Sequence, residues 1–232
     1  MISISDLHAA YGPLPVLFGV SLDIAAGETL ALIGSNGAGK STTFATLTGF
    51  LRPTQGQVRF ADLDLARASP RRIVEAGLSM VPEGRRLFPS LTVEENLLVG
   101  AHARRRGDWT LDRVYEVFPT LLPLRRRPSM HLSGGQQQLV AIGRALMANP
   151  RVLLCDELSL GLSPAAVDTV YAAVSRLRAE GMTMLLVEQD IGRALAGSDR
   201  YACMRHGRIV LEGPSAAADR QAISDAYFGM EA

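Results

Sequence analysis

Four short apolar runs, each bounded by glycine or by charged residues, stand out in the hydrophobic pattern of the chain. Runs of this length, rich in β-branched and large aliphatic residues, are typical of strands buried on both faces of a parallel sheet. They predict strands at Thr29–Ile33, Leu78–Val81, 152–155 and 183–187. The segments between them repeat apolar residues at helical spacing, most clearly at Val167, Val170, Tyr171, Val174 and Leu177. This alternation predicts an α/β domain built on a parallel sheet.

The first 25 residues and the middle of the chain depart from this alternation. Ile2 and Ile4 alternate with serines, and residues 16–24 follow a Gly-Pro turn, which predicts antiparallel strands beside the parallel core. Helical periodicity and several prolines, without a strand pattern, predict a helical insert at 92–147, and the tail at 214–232 predicts a short closing helix with a frayed end. We therefore expect a single domain, whose division is as follows: a core formed by 1–90 and 150–232, and a helical part at about 91–149.

The composition supports one folded domain and excludes several classes of protein. A chain of 232 residues with 47% hydrophobic residues can bury a large core, but it is too short for two independent enzymes. Lys and Arg total 24 against 23 Asp and Glu, so the formal charge of +1 provides no general field that would attract nucleic acid. Any anion site must be local, and we expect no nucleic-acid partner.

Cysteine spacing and hydropathy bear on the cellular compartment. Cys155 and Cys203 form no CxxC pair, which argues against a zinc site or a disulfide framework and favours a reducing cytosol. The first six residues lack the basic and apolar regions of a signal peptide, so the chain is expected to start as written. No uncharged apolar run approaches the ~20 residues that a membrane helix needs. A membrane span would have to come from another chain.

A glycine-rich segment, the phosphate loop at residues 34–41, carries the strongest chemical signal. It satisfies the pattern G-x-x-x-x-G-K-[ST] between a predicted strand and a helical pattern that begins at Lys40. Its glycines let backbone N–H groups face inward, and the helix N-terminus adds partial positive charge for phosphate oxygens. Lys40 is suited to reach the β- and γ-phosphates of ATP, and Ser41 to offer its hydroxyl to Mg²⁺. The alternative is a glycine-rich turn before a helix. The candidate cofactor-binding residues here are Gly34, Ser35, Asn36, Gly37, Ala38, Gly39, Lys40, Ser41 and Thr42.

Two adjacent carboxylates follow the third predicted strand. Ligand chemistry in α/β sheets is concentrated where strands end. Asp156 is suited to hold the hydration shell of Mg²⁺, and Glu157 to orient and deprotonate an attacking water. The alternative is a solvated turn, which becomes a weaker explanation beside a phosphate loop.

The segment Ser133-Gly134-Gly135-Gln136 has the S-x-x-Q spacing of a capping box and opens a helical pattern. Ser133 would cap the helix, and Gln136 would reach back to the backbone of Ser133. As an isolated cap the segment needs no function. Its position shortly before the strand that ends in Asp156 and Glu157 favours a functional role over an isolated cap.

Taken together, these residues resemble the ATP-binding cassette (ABC) ATPases, whose signature matches Leu132 to Gln136 between a phosphate loop and a strand that ends in Asp-Glu. The resemblance implies a P-loop NTPase core with a parallel sheet, an N-terminal antiparallel β subdomain and an inserted α-helical signature subdomain. It also implies a head-to-tail dimer, in which Ser133, Gly135 and Gln136 of one chain clamp the γ-phosphate held by the other. Tyr11 matches the aromatic residue that stacks on adenine; the alternative is a half-buried strand tyrosine.

Four further segments of the sequence are similar to the second ATPase subunit of branched-chain amino acid importers. The matching segments are 81–88, 92–97, 141–146 and 159–164. The ATPase of urea importers is the alternative, although it more often carries Gln where this chain has Glu83. The resemblance implies transmembrane permease partners, a second ATPase that is a different chain in the cell, and a cytoplasmic position at the inner face of the membrane.

Three residues depart from the general cassette pattern. Gln189 stands where most cassettes carry a catalytic switch histidine; a neutral amide donates a weaker hydrogen bond, which corresponds to about tenfold in rate. Glu83 replaces the Gln that touches Mg²⁺ or the attacking water, and as a carboxylate it can also ligate Mg²⁺. Leu158 replaces the Pro that usually follows the catalytic Glu, which removes a rigid φ next to Glu157. Glu157, Gln189 and Lys40 are thus the candidate catalytic residues, and Ser41, Glu83 and Asp156 the candidate metal ligands.

Three further interpretations stay open at this point. The arginines at 85–86, 104–106 and 125–127 indicate either solvated faces or a groove that receives a cytoplasmic helix of the permease, with Leu87 and Phe88 as apolar contacts. A non-transport cassette acting on DNA or ribosomes is one rival function. A regulatory module that binds ATP and barely hydrolyses it is the other.

Overall fold

The computed structural model describes residues 1–230, which form two sheets and the helices packed on them. The strands are β1 Ile2–Tyr11, β2 Leu14–Ile24, β3 Thr29–Ile33, β4 Gln55–Phe60, β5 Leu63–Asp64, β6 Leu78–Val81, β7 Val152–Asp156, β8 Thr183–Glu188, β9 Arg200–Arg205 and β10 Arg208–Pro214. The α-helices are α1 Lys40–Leu47, α2 Pro70–Ala76, α3 Val93–Gly100, α4 Leu111–Val117, α5 Gly134–Leu146, α6 Pro164–Ala179, α7 Ile191–Ala196 and α8 Arg220–Phe228.

The larger sheet has the strand order β10-β9-β3-β8-β7-β6, and its central pairs are parallel, as the sequence predicts. Two of the four predicted strands have the expected bounds, and the other two extend by one residue, to Asp156 and to Glu188. This extension matters because it places both carboxylates inside buried strands. The antiparallel hairpin partner β10, which pairs with β9 at the sheet edge, is an element that the sequence pattern does not predict.

Both faces of this sheet are covered, which explains the continuous apolar runs. Along β7, Val152 and Leu154 face one apolar core, while Leu153 and Cys155 face a second core on the opposite side, because successive side chains of a strand alternate. The first core lies against the antiparallel sheet and α1, and the second lies against α3, α5 and α6. Cys155 and Cys203 are buried and free.

The smaller sheet is antiparallel, with the order β2-β1-β4-β5. The pair β1 and β2 is the antiparallel structure predicted at the N-terminus. Strands β4 and β5 are not predicted from the pattern, because in the segment 55–60 only Val58 and Phe60 are buried.

Residues 93–146 contain three α-helices, α3 to α5, and short 3₁₀ turns, as the helical pattern predicts. The exact limits of this helical part, at about 91 and 149, stay a prediction. The closing helix predicted in the tail is α8; the predicted frayed end reaches residues 231 and 232, which lie outside the described residues. None of the helices within residues 1–230 combines the length and the apolar character that crossing a membrane requires.

Candidate functional site

The candidate site lies at the carboxyl edge of the larger sheet. Strands β3, β8, β7 and β6 are neighbours and run parallel, so the segments that follow them emerge side by side. The phosphate loop follows β3, Gln189 follows β8, Glu157 follows β7, and Glu83 comes two residues after β6. Residues that are far apart in the sequence are thereby brought to one place.

The phosphate loop owes its shape to glycines at its two ends. Gly39 has a φ of 112° where α1 begins, a conformation that disfavours any side chain. At Gly34, a Cβ atom would lie 2.5 Å from the carbonyl oxygen of Met204 in β9, which is too close for any other residue. The loop is therefore fixed against the sheet edge, with α1 directly behind it.

Lys40 is the first residue of α1, and its side chain folds back over the loop. Its Nζ donates hydrogen bonds to the carbonyl oxygens of Gly34 at 2.6 Å and Ser35 at 3.0 Å, and it lies 3.6 Å from Oε1 of Glu157. The residue is only 4% exposed. Burial lowers the pKa of Lys40, and the negative charge of Glu157 is the main influence in the opposite direction. The result is a cation held in a protected position at the loop.

A cavity of about 420 Å³ opens beside Lys40. It brings together six residues of the predicted loop set with three residues from other segments, and it adds two residues that sequence analysis missed, Val16 and Leu160. The lining residues are Val16, Asn36, Gly37, Gly39, Lys40, Ser41, Thr42, Glu83, Glu157, Leu160 and Gln189. Both missed residues are apolar; Leu160 lies in the matching segment 159–164, but nothing in the sequence assigns either residue to the site.

Asp156 is the last residue of β7 and is 6% exposed. Among the described residues its Oδ1 has no hydrogen-bond partner. Burial, reinforced by the negative charges of Glu157 and Glu83 and opposed by Lys40, raises the pKa of Asp156 to about 6. A buried carboxylate oxygen without a donor, within electrostatic reach of the carboxylates of Glu157 and Glu83, is the kind of oxygen ligand that Mg²⁺ prefers.

Glu157 is held on both carboxylate oxygens. The Nε2 atom of Gln189 donates to its Oε2 at 2.7 Å, and Lys40 lies beside its Oε1. Its backbone has a φ of 46°, an uncommon left-handed conformation for a residue with a side chain. Leu158 is 2% exposed and packs in the second core, so burial anchors this segment where most cassettes have proline.

The signature segment lies apart from this cavity. The capping box is present as predicted: Ser133 N–H donates to Oε1 of Gln136 at 3.0 Å, and Gln136 N–H donates to Oγ of Ser133 at 3.3 Å. Gly135 sits against α6, where a Cβ would lie 2.9 Å from Cβ of Ala166. None of the residues Ser133, Gly134, Gly135 and Gln136 lines the cavity. The phosphate loop and the signature segment are thus separate surfaces of the chain.

Tyr11 also lies outside the cavity lining. It is the last residue of β1, pairs with Leu14 and is 51% exposed, which fits both an accessible stacking ring and the half-buried strand tyrosine of the alternative. An exposed ring near the end of a strand is accessible for stacking on a planar ligand, but its contact with adenine stays a prediction.

A second, larger groove of about 1020 Å³ runs between α2, β6 and the ends of α3 and α5. Its walls include three exposed apolar side chains: Phe50 at 79%, Val99 at 40% and Val74 at 36%. Leu87 and Phe88, the apolar contacts expected from the sequence, do not line it. Of the arginine runs, Arg104 lines the groove, whereas Arg105 donates to backbone carbonyl oxygens of Glu75 and Asn149.

Comparison with known sequences decides the family. The family described as "ABC transporter" matches residues 17–159, more than half of the chain. The chain belongs to the ABC transporter family. As an ABC transporter ATPase it binds and hydrolyses ATP.

Individual relatives agree with this ABC assignment. The "high-affinity branched-chain amino acid transport ATP-binding protein BraG" of Pseudomonas aeruginosa is 40% identical over 232 residues, which cover 99% of this chain and 100% of the relative. A solved structure of an ATP-binding subunit of an ABC transporter has a TM-score of 0.84 at 26% identity, covering 98% and 99% of the two chains. A dimeric bacterial ABC transporter cassette has a TM-score of 0.81 at 26% identity, covering 93% and 99%.

Proposed function

We propose that this ABC ATPase powers the import of branched-chain amino acids. The observation that carries the proposal is the 40% identity that extends along essentially the whole of this chain and of a branched-chain amino acid transport ATP-binding protein. The presence of Glu83 in the segment after β6, rather than Gln, agrees with this substrate class and disfavours the urea-importer alternative.

In the proposed reaction, the phosphate loop and Lys40 bind the β- and γ-phosphates of ATP. Ser41, Asp156 and Glu83 would hold Mg²⁺, which supplies charge neutralisation to the phosphates. Glu157 accepts a proton from a water molecule as the water oxygen bonds to the γ-phosphorus. The bond from that phosphorus to the β–γ bridging oxygen breaks, and the electron pair leaves with ADP. Gln189 holds Glu157 in place for this proton transfer.

The signature segment is proposed to complete the site of a second cassette. Ser133, Gly135 and Gln136 do not line the cavity of their own chain, so their role toward a γ-phosphate requires another copy or a related ATPase. A head-to-tail dimer satisfies this requirement, and the fold is similar to that of a dimeric cassette. Because the site of this chain carries Gln189 in place of a switch histidine, we propose that its partner in the cell is a different ATPase.

The groove between α2 and α5 is proposed to receive a cytoplasmic helix of the permease. Its exposed apolar residues Phe50, Val74 and Val99 match the apolar face of an amphipathic helix. With this partner, the ATPase would lie in the cytoplasm, at the inner face of the membrane. A mainly regulatory cassette is the second candidate, and the neutral amide of Gln189 is the observation that favours it.

Transport assays with the reconstituted complex test the proposal. Vesicles that contain the permeases, this chain and its partner ATPase should take up labelled leucine when ATP is supplied, and unlabelled urea should not compete. Uptake of urea in place of leucine would contradict the proposed substrate. Leucine uptake that proceeds equally with the Glu157→Gln variant of this chain would support a regulatory role instead.

A further inference from the structure

A network of side-chain hydrogen bonds around the buried Glu188 adjoins Glu157 and Gln189, the candidate catalytic pair. Glu188 is the last residue of β8 and is 2% exposed. Its carboxylate accepts hydrogen bonds from the hydroxyl of Tyr171, in α6, and from that of Ser159, whose Oγ lies 3.2 Å and 3.4 Å from the two carboxylate oxygens. Burial is the main cause that raises the pKa of Tyr171, so its hydroxyl keeps its proton and remains a donor.

Two residues of this network are close in sequence to Glu157 and Gln189. Glu188 immediately precedes Gln189, and Ser159 comes two residues after Glu157. The segment that follows β7 is therefore joined to the end of β8 and to Gln189 by three hydrogen bonds: Glu157 N–H to the carbonyl oxygen of Val187 at 3.1 Å, Ser159 to Glu188, and Gln189 to Glu157. Side-chain hydrogen bonds thus continue the parallel pairing of β7 and β8 beyond the last residue of β7.

These hydrogen bonds matter for the position of Glu157, because its backbone is in a left-handed conformation. Residues in such conformations persist only where the surrounding structure holds them. Leu158 holds the segment on the core side, and Ser159 holds it on the Glu188 side. The backbone of Glu188 is held by pairing with Ile33 in the sheet, so the loss of either hydroxyl donor would act on the Glu188 carboxylate and on the segment that Ser159 anchors beside Glu157.

We propose that Tyr171, Ser159 and Glu188 form a positioning network that sets the amide of Gln189 against the carboxylate of Glu157. None of the three lines the cavity, so they act through the catalytic pair and not on the nucleotide. The inference rests on the proposed roles of Glu157 and Gln189. It adds three residues whose substitution changes the rate of hydrolysis without changing the affinity for ATP.

Steady-state ATPase assays and calorimetry on the full chain test this proposal. Tyr171→Phe and Ser159→Ala should each lower kcat about tenfold, the value of one hydrogen bond to a carboxylate, while the dissociation constant of ATP changes less than about twofold. Ser159→Thr retains a hydroxyl and should restore most of the rate. Tyr115→Phe is the matched control, because the hydroxyl of Tyr115 is buried and finds no partner within residues 1–230; it should leave kcat unchanged.

A double substitution separates positioning from a general structural effect. In a Gln189→Leu background the amide is gone, so Tyr171→Phe should then cost less than about twofold, because residues that act as a unit are not additive. An unchanged kcat in Tyr171→Phe, or an equal loss in both backgrounds, would overturn the network. Glu157→Gln, measured in the same series, reports on the proposed base: normal turnover there would refute the proposed function and not merely this inference.

Discussion

The Nε2 atom of Gln189 lies 2.7 Å from Oε2 of Glu157, so the amide at the expected switch position donates a hydrogen bond to the proposed general base. The amide donates one hydrogen bond to the carboxylate and brings no charge. It can orient Glu157, but it offers less stabilisation to a developing negative charge than an imidazolium would. The proposed catalytic pair is therefore joined by a hydrogen bond, and its donor carries no positive charge.

Gln189→His should therefore raise the turnover of the purified chain by up to about tenfold, the difference between a charge-assisted and a neutral hydrogen bond. The rate should also acquire a dependence on pH near the ordinary histidine pKa of about 6.5, with faster turnover on the acid side. ATPase assays from pH 5.5 to 8.5 check both effects. An unchanged rate with normal ATP binding would show that this donor does not limit hydrolysis, and it would remove the sequence argument for an asymmetric dimer.

Lys40→Ala should abolish useful ATP affinity, because the phosphate loop would lose its only lysine and that lysine is 4% exposed. Isothermal calorimetry measures the loss directly. Arg67→Ala is a suitable control, since it removes a cation whose side chain is 91% exposed, and it should bind ATP like the parent. Parent-like affinity in Lys40→Ala would refute the assignment of the loop.

Asp156→Asn should stabilise the chain when measured in EDTA. The pKa of Asp156 is raised to about 6 in the folded chain, above its ordinary value of 3.8, so the folded state binds the proton more tightly than the unfolded state does. Stability therefore falls as pH rises through the window from 3.8 to about 6, and the penalty is complete above it. Asn removes a penalty of up to about 3 kcal/mol at pH 7.5.

Thermal unfolding at pH 7.5 and pH 4 checks the direction of this change in stability. The gain from Asp156→Asn should be present at pH 7.5 and largely vanish at pH 4. Asp168→Asn, at an exposed position of α6, should change little at either pH. Addition of Mg²⁺ and ATP should stabilise the parent more than Asp156→Asn. If Asp156→Asn is less stable than the parent in EDTA at pH 7.5, the ionised Asp156 side chain does not destabilise the folded chain, which would contradict this account.

Phe50→Asp should uncouple the ATPase from its permease. The side chain is 79% exposed in the groove between α2 and α5, so the substitution leaves the fold and the intrinsic ATPase rate unchanged. Reconstituted complexes should assemble poorly and lose substrate-stimulated hydrolysis. Phe228→Asp, at a 69% exposed position on α8, is the control and should assemble normally. Equal assembly of both variants would place the permease contact elsewhere.

The parts of the molecule that the sequence predicts are those with a strong local signal. The phosphate loop needs glycines and a lysine at fixed spacing, and a strand buried on both faces needs a continuous apolar run, as at Thr29–Ile33. Strands β4 and β5 of the smaller sheet lack such a signal. In β4 only Val58 and Phe60 are buried, and the flanking Gln and Gly residues resemble a loop.

The positioning network illustrates a second limit. Tyr171 belongs to the apolar stripe of α6 in the sequence pattern, and that pattern gives no sign that its hydroxyl reaches Glu188, 17 residues away. Leu158 departs from the expected Pro, and only its burial in the second core shows what anchors the segment in its place. Contacts between the ends of neighbouring strands follow from strand order, which a single sequence does not contain.

The most direct test of the account is the ATPase turnover of Glu157→Gln, measured beside its affinity for ATP. The amide keeps the shape of the side chain but cannot accept the proton of the attacking water. We expect normal ATP binding, a kcat lower by ~10² to 10⁴, and accumulation of an ATP-bound dimer in size-exclusion chromatography. Glu212→Gln, at an exposed position of β10, should behave like the parent. Undiminished turnover in Glu157→Gln would contradict the central claim that Glu157 is the general base.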